Sequence, residues 1–237
     1  PGAFPAGTAP PSDMGPPRHR GGPPLHAPPT RTKPPPMTKT NHPSGAPWRN
    51  FYGRFKGKGL RDSQKTYLDE DLARLSPGPV DWDVNPDRSP LDTAALFDGR
   101  PVWLEVGFGG GEHLVHQAHQ NPEIGIIGCE PYINGVAMLL GKIRKAGVDN
   151  LRVHPGDVRD LFDVLPDRSV ARAFLLYPDP WPKKRHHRRR FVMPEYLQPL
   201  ARVMQPGAIF SRGHGHSRLC APDAGTGAAP RLRLAGR

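Results

Sequence analysis

Short apolar runs alternate with helical patterns from about residue 100 onward, and this alternation constrains the fold more than any other feature. The runs that read as strands are 101–107, 125–130, 151–157, 170–180 and a fifth that begins at 206–210. The stretches with helical spacing are 112–120, 133–147 and 194–204. Gly147 suits a helix end, and Pro199 should kink the last helix. Because strands that alternate with helices form right-handed crossovers, the sequence predicts an α/β fold with a doubly wound, mostly parallel sheet.

Composition divides the chain into four parts. Residues 1–48 form a proline-rich arm, with fifteen prolines in the first 50 positions, and such a segment buries too little apolar surface to fold. Residues 49–99 form a basic N-terminal segment and linker, and residues 100–210 form the core. Residues 211–237 form an atypical tail, since Gly, Ala and Arg supply fifteen of its residues. The chain begins with Pro1 rather than Met, so the sequence does not define the start of translation.

Charge and cysteine content limit the classes of function. The formal net charge of +11 predicts a polyanionic partner. Cys129 and Cys220 are the only cysteines, which excludes a disulfide framework and a cysteine-based zinc site. The sequence has neither a signal-peptide core nor an apolar run near the ~20 residues of a membrane helix. We therefore expect a cytoplasmic protein without a membrane partner; the sequence does not indicate its oligomeric state.

Basic and aromatic residues are mixed in the stretch from 49 to 75. Phe51, Tyr52 and Phe55 are interleaved with basic residues, which are Arg49, Arg54, Lys56, Lys58, Arg61 and Lys65. Such a mixture can hold phosphates and stack on nucleic-acid bases. It equally suits a solvated arm that leads into a short helix, and the sequence leaves both interpretations open.

A glycine-rich loop follows the first predicted strand. Gly107, Gly109 and Gly111 come directly after Glu105, and glycines allow a tight turn with close approach of a ligand to the backbone. Glu112 occupies the sixth position of the loop, where a dinucleotide-binding motif has glycine. The negative charge of Glu112 would repel the pyrophosphate of a dinucleotide, so the loop disfavours NAD as a ligand.

Each of the first four predicted strands ends in a carboxylate. These acids are Glu105, Glu130, Asp157 and Asp179. A capping role is the ordinary explanation for any one of them, but four at one edge of a sheet favour a ligand. S-adenosylmethionine suits such an edge, because it carries cationic groups together with ribose hydroxyls and an adenine amine.

The motifs then converge on one family. The stretches LEVGFGGGEH, IGCEPYINGV, HPGD and above all YPDPWPKKRHHRRRF make residues 50–210 resemble the tRNA (guanine-N7)-methyltransferase family. The resemblance implies a Rossmann-like class I methyltransferase. Such an enzyme moves the methyl group of S-adenosylmethionine to N7 of a guanine in the tRNA variable loop.

The resemblance also implies roles for individual residues. The cofactor site would comprise Glu105, Gly107, Gly109, Glu130, Asp157 and Asp179. Lys183 would contact the substrate, and Arg185, His186, His187, Arg188, Arg189 and Arg190 would contact RNA. No third ligand accompanies His186 and His187, so no metal site is expected. Asp179 is the predicted catalytic residue, which orients the guanine and offsets the charge of the product. Trp181 either stacks on a base or plugs the edge of the sheet.

The tail limits this assignment. The family continues after the fifth strand with a helix and two strands, whose Thr-Asp and Thr-x-x-Glu elements complete the guanine pocket, and none of these follows Phe210. The tail resembles translation in a shifted reading frame and predicts a sheet that is incomplete after the fifth strand, with an unpaired edge. The alternatives are a catalytically impaired tRNA-binding remnant and a class I methyltransferase with another substrate.

Overall fold

The structure is a computed structural model that describes residue 46, residues 49–213 and the backbone of 217–220 and 233–234. The predicted proline-rich arm and most of the tail lie outside the described residues. The strands are β1 (Val102–Val106), β2 (Gly125–Cys129), β3 (Leu151–His154), β4 (Val170–Leu175), β5 (Met204–Arg212), β6 (Ser217–Cys220) and β7 (Arg233–Leu234). The helices are α1 (Asp62–Asp71), α2 (Thr93–Leu96), α3 (Glu112–Gln120), α4 (Ile133–Ala146), α5 (Val158–Val164) and α6 (Pro194–Val203), with a 3-10 helix at Lys184–Arg189.

The strands form one sheet in the order β3-β2-β1-β4-β5-β6-β7. The pairs among β1 to β5 are parallel, whereas β6 and β7 add in antiparallel orientation. The predicted doubly wound, mostly parallel sheet is thereby confirmed. The predicted unpaired edge at the fifth strand is wrong, because β5 pairs with β6 from Ile209–Cys220 to Arg212–Ser217. The tail has no strand periodicity, so this pairing could not be read from its sequence.

Helices cover both faces of the sheet. Leu114 of α3 and Leu139 of α4 pack in one buried cluster, and Phe162 of α5 and Leu200 of α6 pack in the other. Helix α5 was not predicted, because it is short and follows the third strand after one tight turn. Helix α4 ends at Gly147, whose φ of +65° is left-handed, as expected. Pro199 lies inside α6 without ending it.

The N-terminal segment is folded onto the core. Helix α1 is the short helix of the second interpretation that the sequence left open for this region. Its Asp71 and Glu70 both accept hydrogen bonds from Arg144 of α4. The residues before α1 run past the carboxyl ends of the parallel strands, where the candidate site lies.

Candidate functional site

A cavity of about 300 Å³ opens where the parallel strands end. Val106, Cys129 and Leu175, at the ends of β1, β2 and β4, supply its apolar walls. The described residues that line it include four of the predicted site residues that carry cofactor or catalytic roles: Gly107, Glu130, Asp157 and Asp179. Glu105 and Gly109 do not line it. The volume is at the lower end of the range for small-molecule sites.

The glycine-rich loop leaves room for a ligand. Gly107 has a φ of +70° and Gly109 a φ of +56°, a left-handed conformation that side chains rarely adopt. No atom lies within 4 Å of a Cβ built on either residue. At Gly107, which lines the cavity, a side chain would therefore occupy space that a ligand can use.

Glu130 is the buried acid of the cavity. Its relative exposure is 9%, and its two oxygens accept hydrogen bonds from the amides of Gly109 (2.8 Å) and Tyr132 (2.9 Å). Burial raises the pKa of this carboxyl, and the two amides oppose that rise. Each oxygen keeps a second lone pair, so Glu130 can still accept hydrogen bonds from ligand hydroxyls.

Glu105 has a different environment from the one predicted. It is 2% exposed, and its carboxylate lies 2.7 Å from Nδ1 of His113 in α3. His113 in turn packs edge-on against Phe174 of β4, with ring centroids 5.0 Å apart. Because the side chains of a strand alternate between faces, Glu105 points away from the side on which its neighbour Val106 lines the cavity.

Asp157 combines a capping role with an ion pair. Its carboxylate accepts the backbone N–H of Arg159 at the start of α5 (2.9 Å) and pairs with the guanidinium of the same residue. Arg159 also donates to Glu195 of α6 and to the carbonyl oxygen of Asn50 (3.1 Å). Its guanidinium lies over the ring of Tyr196 at 4.9 Å. Burial opposes the charge of Arg159, but Asp157 outweighs it and the pKa of the guanidinium is raised.

Residues 49–58, which we call the strap, form one wall of the cavity. Phe51, Tyr52, Gly53 and Arg54 line it. The strap is held at one end by Arg49, which donates to Asp160 and Asp163 of α5 at 2.7 Å each.

The other end of the strap is held by α4. The carbonyl of Phe55 accepts the N–H of Ile133, and Gly57 and Lys58 bond to the side-chain amide of Asn134. The sequence suggested either a nucleic-acid surface or a solvated arm, but part of this segment instead belongs to the pocket.

The turn that carries Asp179 is tightly constrained. Asp179 is solvent-exposed between two prolines. Tyr177 and Trp181, two residues to either side, have φ values of +51° and +38°, and such strain persists only where the surrounding structure enforces it. Arg190 helps to enforce it by donating to the carbonyls of Pro180 (3.0 Å) and Trp181 (3.1 Å). The turn thus places one carboxylate at the mouth of the cavity.

Residues 183–190, the basic block, divide into two groups. Lys183, Lys184, Arg185 and Arg188 are exposed. The remaining residues face inward: Arg190 and His187 bond to carbonyls of the preceding turn, His186 packs edge-on against Trp181, and Arg189 lines the cavity. Trp181 also lines the cavity, the position that its interpretation as a base-stacking residue requires. The structure thus gives half of the block a role in shaping the site.

These residues fit S-adenosylmethionine. The open space at Gly107 can receive the cofactor close to the backbone, Glu130 can accept from ribose hydroxyls, and the apolar strand ends can hold an adenine ring. Within residues 49–213, no group of three or more His, Cys, Asp or Glu side chains is placed to hold a metal ion. In the same range, no helix is long and apolar enough to cross a membrane.

The sequence is similar to those of known proteins. A family model described as a putative methyltransferase matches residues 99–212. A tRNA (guanine-N(7)-)-methyltransferase of Ruegeria pomeroyi is 77% identical over 164 residues, which cover 69% of this chain and 69% of the relative. Proteins with the same description are 74% identical in Roseobacter denitrificans (69% and 70% covered) and 43% identical in Caulobacter vibrioides (73% and 72% covered).

Among solved structures, the 16S rRNA methyltransferase KamB aligns at 26% identity over 46% of this chain and 50% of that chain, with a TM-score of 0.36. The parallel sheet order β3-β2-β1-β4-β5 and the glycine-rich loop after β1 are those of a Rossmann-like class I methyltransferase. With relatives this similar over two thirds of their length, the chain belongs to the tRNA (guanine-N7)-methyltransferase family.

Proposed function

We propose that this protein transfers the methyl group of S-adenosylmethionine to N7 of a guanine in the variable loop of tRNA. The observation that carries the proposal is the turn at Asp179. It presents an exposed carboxylate at the mouth of the cavity, and four exposed cations follow within nine residues. This combination suits a site that receives one base from a polyanion.

The reaction needs alignment more than proton transfer. N7 of guanine has a free lone pair at neutral pH, so no general base is required. When bound, S-adenosylmethionine would supply an electrophilic methyl group, and transfer of that group to N7 would leave a neutral thioether and a positive charge on the purine. The protein must hold N7 in line and tolerate a cationic base.

Asp179 meets both requirements in this proposal. Its carboxylate accepts hydrogen bonds from the N1–H and N2–H groups of guanine, which fixes the orientation of N7. The same negative charge offsets the charge that develops on the ring. Pro178 and Pro180 limit the backbone around it, so the carboxylate does not need to be reoriented during the reaction.

The cofactor is held on the opposite wall. Glu130 accepts from the ribose hydroxyls, and the loop at Gly107 lets the cofactor approach the backbone. The strap closes over it through Phe51 and Tyr52. Asp157 contributes to this wall through its turn and through its pairing with Arg159, and the role of Glu105 is to fix the first strand against α3.

The exposed part of the basic block contacts the RNA. Lys183, Arg185 and Arg188 meet phosphates, with salt-dependent affinity and little reading of sequence. His186, His187 and Arg190 support the turn from within. A tRNA substrate also supports a cytoplasmic location.

The test combines radiolabelled S-adenosylmethionine, unmodified tRNA transcripts and chain cleavage specific for N7-methylguanine. Wild-type protein should label a cleavable guanine in the variable loop. Asp179→Asn should lower turnover by about 10²–10³-fold, as loss of a charge-stabilising group does. Its tRNA affinity should change by less than about threefold, since rim contacts contribute little each.

Glu123→Gln is the matched control, because Glu123 is an exposed acid just before the amino end of β2, away from the cavity. Glu123→Gln should leave both the turnover and the tRNA affinity unchanged. If folded wild-type protein binds tRNA without labelling it, the proposed reaction is wrong and the protein is a catalytically impaired RNA-binding remnant. Label elsewhere than in a guanine would point to another methyltransferase reaction.

A further inference from the structure

Arg189 occupies an aromatic slot at the mouth of the cavity. Its guanidinium carbon lies 5.1 Å from the ring centroid of Tyr52 and 4.9 Å from that of Trp181. All three side chains line the cavity together with Asp179. We call the space between Tyr52 and Trp181 the aromatic slot.

The contacts of Arg189 in the slot are weak for a guanidinium. Its Nε is buried and has no hydrogen-bond partner among the described residues, a cost that Arg144 and Arg159 avoid by pairing with carboxylates. Among the residues that the structure describes, only the faces of the two rings hold its guanidinium, and such cation–π contacts contribute modestly. The slot therefore holds a planar cation that another planar group can displace.

The rings themselves are fixed from outside. Trp181 has a strained backbone that Arg190 braces, and His186 packs against its edge with centroids 5.6 Å apart. Tyr52 belongs to the strap, which Arg49 and Arg159 bind to α5. A slot with fixed walls loses little entropy when a ligand enters.

From this geometry we infer that the aromatic slot binds the target purine and prefers its N7-methylated form. The inference rests on the proposed function. A guanine that enters the slot displaces Arg189 and stacks on Tyr52 and Trp181, with Asp179 beside its Watson–Crick edge. Methylation at N7 leaves the ring planar and makes it cationic, which is the charge and shape that the slot already holds.

The preference follows from the electrostatics of the rings. Aromatic faces carry a negative quadrupole, so they attract a cationic base more than a neutral one. The gain corresponds to about 2- to 30-fold tighter binding of the methylated base. Because this charge grows during methyl transfer, the slot stabilises the transition state as well as the product.

The experiment compares guanosine with 7-methylguanosine as probes on the full chain saturated with S-adenosylhomocysteine. Affinities are measured by equilibrium dialysis at mildly acidic pH, where the methylated base keeps its positive charge. Wild-type protein should bind 7-methylguanosine about 2- to 30-fold more tightly than guanosine. Tyr52→Leu and Trp181→Leu should abolish this preference, and Tyr52→Phe should keep it. Arg189→Ala should raise the affinity for both probes, since the competing guanidinium is gone.

Tyr67→Leu is the control, because Tyr67 also lies under a guanidinium, that of Arg144 at 4.8 Å, but does not line the cavity. It should leave the preference intact. Wild-type protein without a preference, or leucine variants that retain it, would overturn the inference. Cooperative thermal unfolding of Tyr52→Leu and Trp181→Leu at the wild-type temperature separates loss of the slot from misfolding.

Labelling of tRNA by the same preparations separates the two proposals. Labelling of tRNA without a preference for 7-methylguanosine would support the proposed function and contradict the inference about the slot. A preference for 7-methylguanosine without labelling of tRNA would support the slot and contradict the proposed function.

Discussion

Replacing Arg159 with methionine tests the contact that joins the cofactor turn, the strap and α6. Arg159 is 3% exposed, and methionine keeps most of its length without the charge. Three acceptors lose their donor. Glu195 has a side chain that is 57% exposed and can be hydrated instead, so its loss costs little. Asp157 is 14% exposed and keeps only its capping bond, and the carbonyl of Asn50 loses the guanidinium that bonds it.

These losses set the expected magnitude. Breaking a buried ion pair by removing one partner costs about 3–5 kcal/mol, and the remaining cap on Asp157 places this case near the lower limit, at about 3 kcal/mol. For a domain of this size the melting temperature should fall by about 6–12 °C. The affinity for S-adenosylhomocysteine, measured by calorimetry, should fall by about tenfold, because the cofactor must then also order the strap and the turn.

Arg144→Met is the matched control. Arg144 also binds two carboxylates and lies over a tyrosine ring, but it does so at the contact between α1 and α4 and its side chain is 38% exposed. Because Arg144 is far more exposed than Arg159 and lies away from the cavity, its replacement should lower the free energy of unfolding less and leave the cofactor affinity unchanged. If Arg159→Met left cofactor affinity unchanged, or if both variants lowered it equally, the reasoning that makes Arg159 a positioning residue of the pocket would be refuted.

Three further predictions concern the loop, α1 and the basic block. Gly107→Ala should weaken S-adenosylhomocysteine binding in calorimetry, because its φ of +70° strains any side chain and the new methyl group would enter the cavity; unaltered binding would exclude the loop from the cofactor site. The hydrogen bond from Arg144 lowers the pKa of Asp71 below its ordinary 3.8, against the effect of burial. The pair therefore stabilises the folded protein at pH values above 3.8, and this stabilisation is lost as the pH falls through the lowered pKa. The difference in urea midpoint between wild-type protein and Asp71→Asn should therefore shrink from neutral pH to about pH 3, and a constant difference would contradict the lowered pKa. Arg185→Gln and Arg188→Gln should each reduce the slope of log affinity for tRNA against log salt concentration by about 1, as measured by filter binding. Neither change should lower turnover at saturating tRNA. An unchanged slope would mean that these side chains do not contact the RNA.

Local pattern was sufficient to predict the centre of this fold. The apolar runs of β1 to β4 and the helical spacing of α3 and α4 predict their own elements, because each buries one continuous stretch of sequence. The same reasoning brings Glu130, Asp157 and Asp179 to one edge of the sheet, since the carboxyl ends of parallel strands meet there. The motif around Asp179 predicted the family.

Contacts between distant segments decided the rest. Nothing in the sequence of the strap indicates that Tyr52 lies in the cavity, because its position depends on Arg49 and Arg159 bonding across more than one hundred residues. The separation of the basic block into outward and inward side chains depends on how the 3-10 helix packs on the preceding turn. The family motif predicts that Glu105 contacts the cofactor, but the alternation of side chains along β1 directs its carboxylate towards His113.

The sequence by itself therefore determined the order of elements, the acids at the strand ends and the chemistry for which they are suited. Only the tertiary structure decided which of those side chains reach the cavity, which are held by other residues of the chain, and which aromatic rings contact Arg189. The physical reason is that periodicity specifies which face of an element is buried, whereas the partner of each side chain is fixed by packing between segments far apart in the chain.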